Sequence, residues 1–308
     1  MKKVHQLDID NALSPSKLLF EMERSGVMGA GRLGRATSIL HTMVTDKDCT
    51  VFLGVAGALV PGGMREILIR IVEREWVDAF VTTGATLTHD LAESLGFSHL
   101  QGSALADDAA LHENGLDRIY DSYMPDGVYT KMEDFFSRHA DSLYEKPRSI
   151  SEFLYEVGRR TPKRSILSVC AKKKVPIFCP ALPDSGIGLM IWGRVASGKK
   201  VSIDPFLDMN DMMNLSFDSK RCGVVYLGGG VPKNFIQQTM QMAPKPARYG
   251  VQITMDRPEP GGSSGAALRE GVSWGKMSKN GQYVDVIADV TMVLPVIYAA
   301  LVDRSKKK

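Results

Sequence analysis

The chain has little cysteine, and what it has is scattered. Cys49, Cys170, Cys179 and Cys222 form no CxxC pair, and no histidine stands near them at metal-ligand spacing. That excludes a zinc site of the usual kinds and a disulfide framework, so no metal is expected and a reducing cytoplasm is the expected setting. Long apolar runs are also missing. The most apolar stretch, 286–302, is broken by Asp289 and Pro295 and is too short and polar to span a membrane. The first eight residues carry two lysines but no apolar segment after them, which excludes a secretory signal as the reading of that end. A charge excess is lacking too: 38 Lys plus Arg against 35 Asp plus Glu gives a net +3, too balanced for nucleic acid as the main ligand. Part of that small excess lies in Lys306-Lys307-Lys308, which reads as a solvated tail. Internal repeats and low-complexity segments are absent. An apolar fraction of 44% and a charged fraction of 24% then describe an ordinary folded globular chain with a sizeable core.

What is present is an alternation of short apolar runs and helical patterns. Ser14-Pro15 supplies an N-cap and a proline at the first helical position, and helical spacing continues to about Val44, predicting two helices in a segment 1–48. Strands are predicted at 50–56, 77–83, 175–179, 223–227, 249–254 and 283–287, most of them followed by a helical pattern. This is the signature of an α/β fold: a doubly wound, mainly parallel sheet with helices on both faces, Rossmann-like, with ligands at the carboxyl ends of the strands. The stretch 100–164 is more polar and reads as a helical excursion from one domain spanning 1–308.

Glycine is placed informatively. Gly29-Ala30-Gly31-Arg32-Leu33-Gly34 fits GxGxxG, but no apolar strand precedes it, so it reads as glycines in a turn between helices. Better placed are Gly54, Gly57, Gly62 and Gly63, then Thr83-Gly84-Ala85, then Gly228-Gly229-Gly230, each directly after a strand. Backbone without side chains can approach a pyrophosphate or ribose closely there, and a following helix N-terminus favours negative charge. Strand-to-helix turns use glycine in any case, so the three loops leave a nucleotide ligand and a purely structural role both open. Asp184 and Asp289 lie at or beyond strand ends, where a carboxylate either accepts from ribose hydroxyls or caps a helix. His89, by itself, reads as a surface or capping histidine.

The densest group runs from Asp256 to Lys276. Its first part, 256–265, is too rich in glycine and proline for a helix and predicts a long loop beside the sheet. If the following segment is helical, Glu270 and Trp274 share one face. A carboxylate with an aromatic wall suits a cationic amine, and Lys276 beside them is a candidate amine nucleophile. A helix-end lysine and a core tryptophan are the plainer alternative.

At these residues the chain resembles the deoxyhypusine synthases, over about 49–301. The resemblance is carried by Cys49-Thr50-Val51-Phe52-Leu53-Gly54, Val81-Thr82-Thr83, Glu113-Asn114-Gly115, Pro180-Ala181-Leu182, Leu227-Gly228-Gly229-Gly230 and, most specifically, Val272-Ser273-Trp274-Gly275-Lys276. It implies an NAD-dependent transferase. Such an enzyme oxidises spermidine, holds the aminobutyl fragment as an imine on Lys276, passes it to one lysine of the initiation factor 5A precursor, and reduces the product with the retained NADH. The same match implies NAD contacts at Gly57, Ala58, Thr83, Gly84, Ala85, Asp184, Gly229 and Asp289. It implies amine contacts at His89, Gly261, Gly262, Ser263, Glu270 and Trp274, and a homotetramer. The chain departs from the eukaryotic pattern at Asn234, where that pattern has histidine, at Leu189, where it has aspartate, at His89, where it has glutamate, and at Gly57-Ala58, where it has Ser-Asn. This is more like the archaeal and bacterial branches, and it leaves two alternatives: a related transferase with another polyamine donor or a small-amine acceptor, as in homospermidine synthases, and an NAD-binding protein without transferase activity.

Overall fold

In the computed structural model residues 3–305 are described, and the chain divides into two compact units, Met1–Val55 with Met212–Lys308, and Ala56–Asp211. The lysine tail at 306–308 lies outside the described residues.

The first unit opens with α1 (Pro15–Ser25) and α2 (Met28–Thr45). Ser14 caps α1 by accepting from the Lys17 amide, Pro15 occupies the first turn, and Gly26 at φ +73° ends the helix in the left-handed conformation. The GxGxxG glycines are not in the turn, as the sequence suggests, but inside α2. A Cβ on Gly34 would lie 2.3 Å from the Glu23 amide nitrogen and 2.4 Å from the Leu19 carbonyl oxygen. Gly34 therefore lets the backbones of α1 and α2 cross closely, and Gly31 makes room for the turn at Gly26. Strand β1 (Cys49–Val55) follows, with its last five residues all buried.

The second unit begins with α3 (Arg65–Glu73), β2 (Ala79–Thr82) and α4 (Gly84–Ser94). Next come β3 (Leu100–Gln101), α5 (Asp108–Glu113), β4 (Leu116–Ile119), β5 (Ser122–Pro125), α6 (Gly127–Arg138) and α7 (Ala140–Tyr144). The unit continues with β6 (Arg148–Ser149), α8 (Ile150–Gly158), α9 (Ile166–Lys173), β7 (Ile177–Phe178), α10 (Gly186–Ala196) and β8 (Ile203–Asp204), and the chain leaves it along α11 (Pro205–Phe217). Strands β2 and β7 pair in parallel, Phe80 with Ile177 and Val81 with Phe178. The excursion 100–164 is not only helical. It holds a three-stranded antiparallel sheet in the order β3-β5-β4, whose strands of two to four residues are too short to show alternation in the sequence.

Back in the first unit lie β9 (Arg221–Leu227), α12 (Gly230–Met242), β10 (Ala247–Thr254), β11 (Met277–Ile287) and α13 (Val290–Ser305). Its four strands are parallel in the order β11-β10-β9-β1. Helices cover both faces. Gly54 and Tyr226 pair in register and face α12, since a Cβ on Gly54 would meet Tyr226 and Ile236. Gly223, three residues before Tyr226 and therefore on the other face, points at Met43 of α2. The predicted α/β class, with parallel strands and helices on both sides, is the fold observed, and β11 is six residues longer at its amino end than the sequence pattern suggests.

Candidate active site

Lys276 stands immediately before β11, where its carbonyl accepts from the Ala247 amide at the start of β10. This is the amino edge of the sheet, not the carboxyl edge where α/β ligands are expected. The segment before it is a 3-10 turn over Leu268–Val272 rather than an α-helix. Trp274 and Glu270 therefore do not share a helical face in the way their spacing suggests. Gly275, at φ +72°, turns the chain so that the Lys276 amide donates to the Gly271 carbonyl at 2.8 Å. Trp274 is 57% exposed, and the Lys276 Nζ lies 4.8 Å from its ring centroid, within cation-π range.

A cavity of about 360 Å³ brings Lys276, Trp274, Glu270 and Ser263 together with Lys233, Asn234, Gln237 and Gln241 of α12. The first four stand out in the sequence, Asn234 does so only as a departure from the eukaryotic pattern, and Lys233, Gln237 and Gln241 do not. Their signal was legible: Lys233, Gln237 and Gln241 are four residues apart on one helical face, and two of them are buried. Lys233 is 4% exposed, and its Nζ donates to the Ser263 and Ala266 carbonyls, both at 2.6 Å. Burial pulls its pKa down to about 8, the Lys276 charge pushes the same way, and Asp285 and Glu270 oppose. Asp285 is also largely buried, which raises its pKa, and it accepts from the Leu268 amide at 3.0 Å. Gln237 donates to the Tyr226 hydroxyl at 2.7 Å. Lys276 thus sits in a polar pocket whose walls are fixed by buried hydrogen bonds. A primary amine so placed can add to a carbonyl or imine carbon.

The glycine loop forms one wall. Gly261 and Gly262 are exposed, with Gly261 at φ +76°, and beyond them Ser264 lies against Gly229. A Cβ on Gly229 would fall 2.4 Å from the Ser264 Cα, so the middle glycine of the triple allows the loop to seat on the end of β9. Gln252 holds the same residue, donating to its carbonyl at 2.6 Å. Asp289 begins α13, where its Oδ1 accepts from the Thr291 amide at 2.8 Å, the capping use of a carboxylate.

The other residues that the resemblance assigns to NAD lie in the second unit. Thr83 caps α4, accepting from the Thr86 amide, and Ser185, rather than Asp184, caps α10 by accepting from the Gly188 amide. The two helices begin side by side after the paired strands β2 and β7. A Cβ on Gly84 would lie 2.4 Å from that of Ser185, and the Ile187 amide donates to Thr88 Oγ1 at 3.3 Å. Two adjacent helix N-termini present amides and partial positive charge at one place, an arrangement suited to a phosphate. Ala85 and Asp184 are exposed there. Gly57, at φ +87°, and Ala58 are exposed in the loop after β1. His89 lies on α4, half-buried, and bonds to His99, a partner the sequence reading does not find. None of the four cysteines forms a disulfide, and no group of three or more His, Cys, Asp or Glu able to hold a metal occurs among the described residues. No described helix is long and apolar enough to cross a membrane.

A parallel α/β fold with glycine loops at its strand ends and a lysine in a polar cavity defines a class of candidate group-transfer enzymes. Comparison with known proteins makes the assignment specific. The family profile described as deoxyhypusine synthase matches residues 17–301. A protein of Methanosarcina thermophila described as a probable deoxyhypusine synthase is 42% identical over 281 residues, covering 91% of this chain and 88% of its own. One from Archaeoglobus fulgidus, described as probable deoxyhypusine synthase 1, is 40% identical over 306 residues and 98% of both chains. A crystal structure from Entamoeba histolytica, described provisionally as a deoxyhypusine synthase, has the same fold, with a TM-score of 0.64 at 19% identity over 97% of this chain and 96% of that one. The chain belongs to the deoxyhypusine synthase family, a family of transferases.

Proposed function

We propose that the protein is an NAD-dependent aminobutyl transferase that takes its group from spermidine, carries it as an imine on Lys276, and delivers it to a lysine of the initiation factor 5A precursor. The observation that carries this reading is the Lys276 amine in a polar cavity with Trp274 and Glu270, in a chain of this family. The Trp274 face and the Glu270 carboxylate attract a cationic amine by cation-π interaction and charge pairing. The Lys276 amine, once deprotonated, attacks the imine carbon of the oxidised donor; the bond to the departing nitrogen breaks, and diaminopropane leaves. The acceptor lysine then displaces Lys276 by the same exchange in reverse roles.

NAD supplies the hydride acceptor for the first step and, reduced, the hydride donor for the last. Each unit, taken by itself, has residues that suit a nucleotide. The α4 and α10 N-termini at Thr83, Gly84 and Ser185 suit phosphate, and a Cβ on Gly57 or Gly230 would meet nothing within 4 Å, leaving backbone open to close approach. The Asp184 and Asp289 carboxylates suit ribose hydroxyls. The same reading places the enzyme in the cytoplasm as a homotetramer.

A second reading, transfer to a small amine or from another polyamine, is favoured by how few carboxylates line the cavity: Asn234, Gln237, Gln238 and Gln241 stand there with Lys233 and Lys276, and Glu270 is the one carboxylate among the lining residues. Spermidine labelled in its butyl carbons distinguishes the two. Label on the factor 5A precursor supports the first; label appearing only in a small polyamine contradicts it in favour of the second.

A further inference from the structure

Gln237 lies on the buried face of α12, 7% exposed, and lines the same cavity of the first unit as Lys276. Its Nε2 donates to the Tyr226 hydroxyl at 2.7 Å and to the sulfur of Met277, the residue after Lys276, at 3.8 Å. A thioether has no hydrogen to give, so the nitrogen end of the amide is the end that faces Met277. The carbonyl end is turned toward Gly271. A Cβ on Gly271 would lie 3.3 Å from Gln237 Oε1 and 3.5 Å from the Lys276 Cβ. Oε1 and the root of the Lys276 side chain therefore flank the same bare stretch of backbone, which the bond from the Lys276 amide to the Gly271 carbonyl holds closed at 2.8 Å. Among the described residues none donates to Oε1, and the atom is not sealed from the cavity.

One end of the amide is thus tied to the core, and the other is an open acceptor beside Lys276. The flexible lysine stem lets Nζ turn from the Trp274 ring toward it. An imine on Lys276 is open to attack by an amine when it is protonated, because the positive charge draws electrons from the carbon. Its N–H is then a charged donor, and hydrogen bonds to charged groups are the stronger ones. Glu270 can take that proton. An amide oxygen does not, so acceptance by Gln237 leaves the hydrogen on Nζ. The charged groups about the cavity are Lys233 on α12, Glu270 in the 3-10 turn and Lys276 itself, with Asp285 of β11 acting on Lys233.

We infer that Gln237 is a catalytic residue whose side-chain carbonyl accepts the N–H of the imine on Lys276 and holds that imine protonated for attack. This rests on the imine reading proposed above and adds to it. When the acceptor amine adds, its lone pair forms the new C–N bond. The electrons of the C=N double bond pass to Nζ, which becomes neutral and keeps its hydrogen. No proton has to reach Nζ first.

The test compares two reductants on the full chain with NAD and spermidine, between about pH 7 and 10. Borohydride reduces an imine in either protonation state and cyanoborohydride only the protonated one. The ratio of the two Lys276 adducts, read by mass spectrometry, reports the protonated fraction. Gln237→Met fills similar space without the carbonyl and should move the midpoint of that ratio down by about one to two pH units, the value of one hydrogen bond to a charged group. Gln237→Glu places a charged acceptor there and should move the midpoint up, which decides the matter if the methionine variant does not fold. A side chain that only packs against Tyr226 would change the amount of adduct in both variants and the midpoint in neither. Unmoved midpoints, or an upward shift in Gln237→Met, overturn the role of Gln237 alone. A wild type that yields no adduct with borohydride overturns the imine reading, and this role with it.

Discussion

Replacing Gly229 with alanine tests how the glycine loop is seated. The backbone at this position, with φ −165°, is not in the left-handed region that favours glycine. The obstacle is space, since the new methyl would stand 2.4 Å from both the Cα and the Cβ of Ser264. Ordinary carbon contact is about 3.5–4.0 Å, so Ser264 has to retreat by about 1 Å. It is pinned, because Gln252 holds its carbonyl, and Lys233 holds those of Ser263 and Ala266. Overpacking costs about 1–3 kcal/mol and weakening one or more of these bonds about 1 kcal/mol more, a total of about 2–4 kcal/mol. In a protein of this size that lowers the melting temperature by roughly 3–6 °C. Because Ser263 and Ala266 line the Lys276 cavity, a shift of this size should slow adduct formation on Lys276 about 100-fold in whatever protein remains folded. Melting followed by circular dichroism and single-turnover trapping measure the two effects. Gly261→Ala is the control: its Cβ meets open space and only the left-handed backbone is penalised, by about 1–2 kcal/mol. Wild-type melting and trapping in Gly229→Ala would refute the claim that this glycine seats the loop.

Other outcomes follow from the same geometry. Gly34→Ala should destabilise by about 1–3 kcal/mol in urea titration because the helix crossing has no room for a methyl, yet leave the NAD affinity of the folded protein unchanged; a selective loss of NAD affinity would return the GxGxxG motif to a cofactor role. Lys233→Met keeps the aliphatic stem but strips two carbonyls of their donor, and a loss of about 2 kcal/mol is expected in the same titration, offset in part because a buried charge is removed. His89, neutral in the folded chain down to about pH 4 against 6.5 when unfolded, contributes nothing above pH 6.5. As pH falls through that window the unfolded chain takes up a proton that the folded chain refuses, and stability drops by up to about 3 kcal/mol. His89→Gln should flatten the stability profile between pH 6.5 and 4, and an unchanged slope would contradict the burial argument.

Much of the first unit was legible because its signals are local and strong. Ser14-Pro15 specifies the start of α1 by capping chemistry, and β1, β9 and β10 are strands of seven or eight residues whose largely apolar centres are buried in a parallel sheet. The small sheet β3-β5-β4 was not legible, since two to four residues carry no readable period. GxGxxG misled in position, though not in role: glycine in a turn and glycine at a helix crossing look alike until the partner backbone is in place. The site divides the same way. Lys276, Trp274 and Glu270 stand out through a family motif. Lys233 is not singled out by the sequence, because what buries it is a loop some thirty residues later in the chain. The partnership of His89 with His99 depends on where the chain returns after α4, which no spacing rule gives, although Glu93, four residues on from His89, already stood on its helical face.

Whether Lys276 carries the transferred group is decided by covalent trapping. The purified protein is incubated with NAD and spermidine, reduced with borohydride and digested, and the peptide spanning 268–279 is examined by mass spectrometry. The account predicts an aminobutyl adduct on Lys276, dependent on NAD and absent from Lys276→Arg. Unmodified Lys276 in protein shown to bind both NAD and spermidine would contradict it.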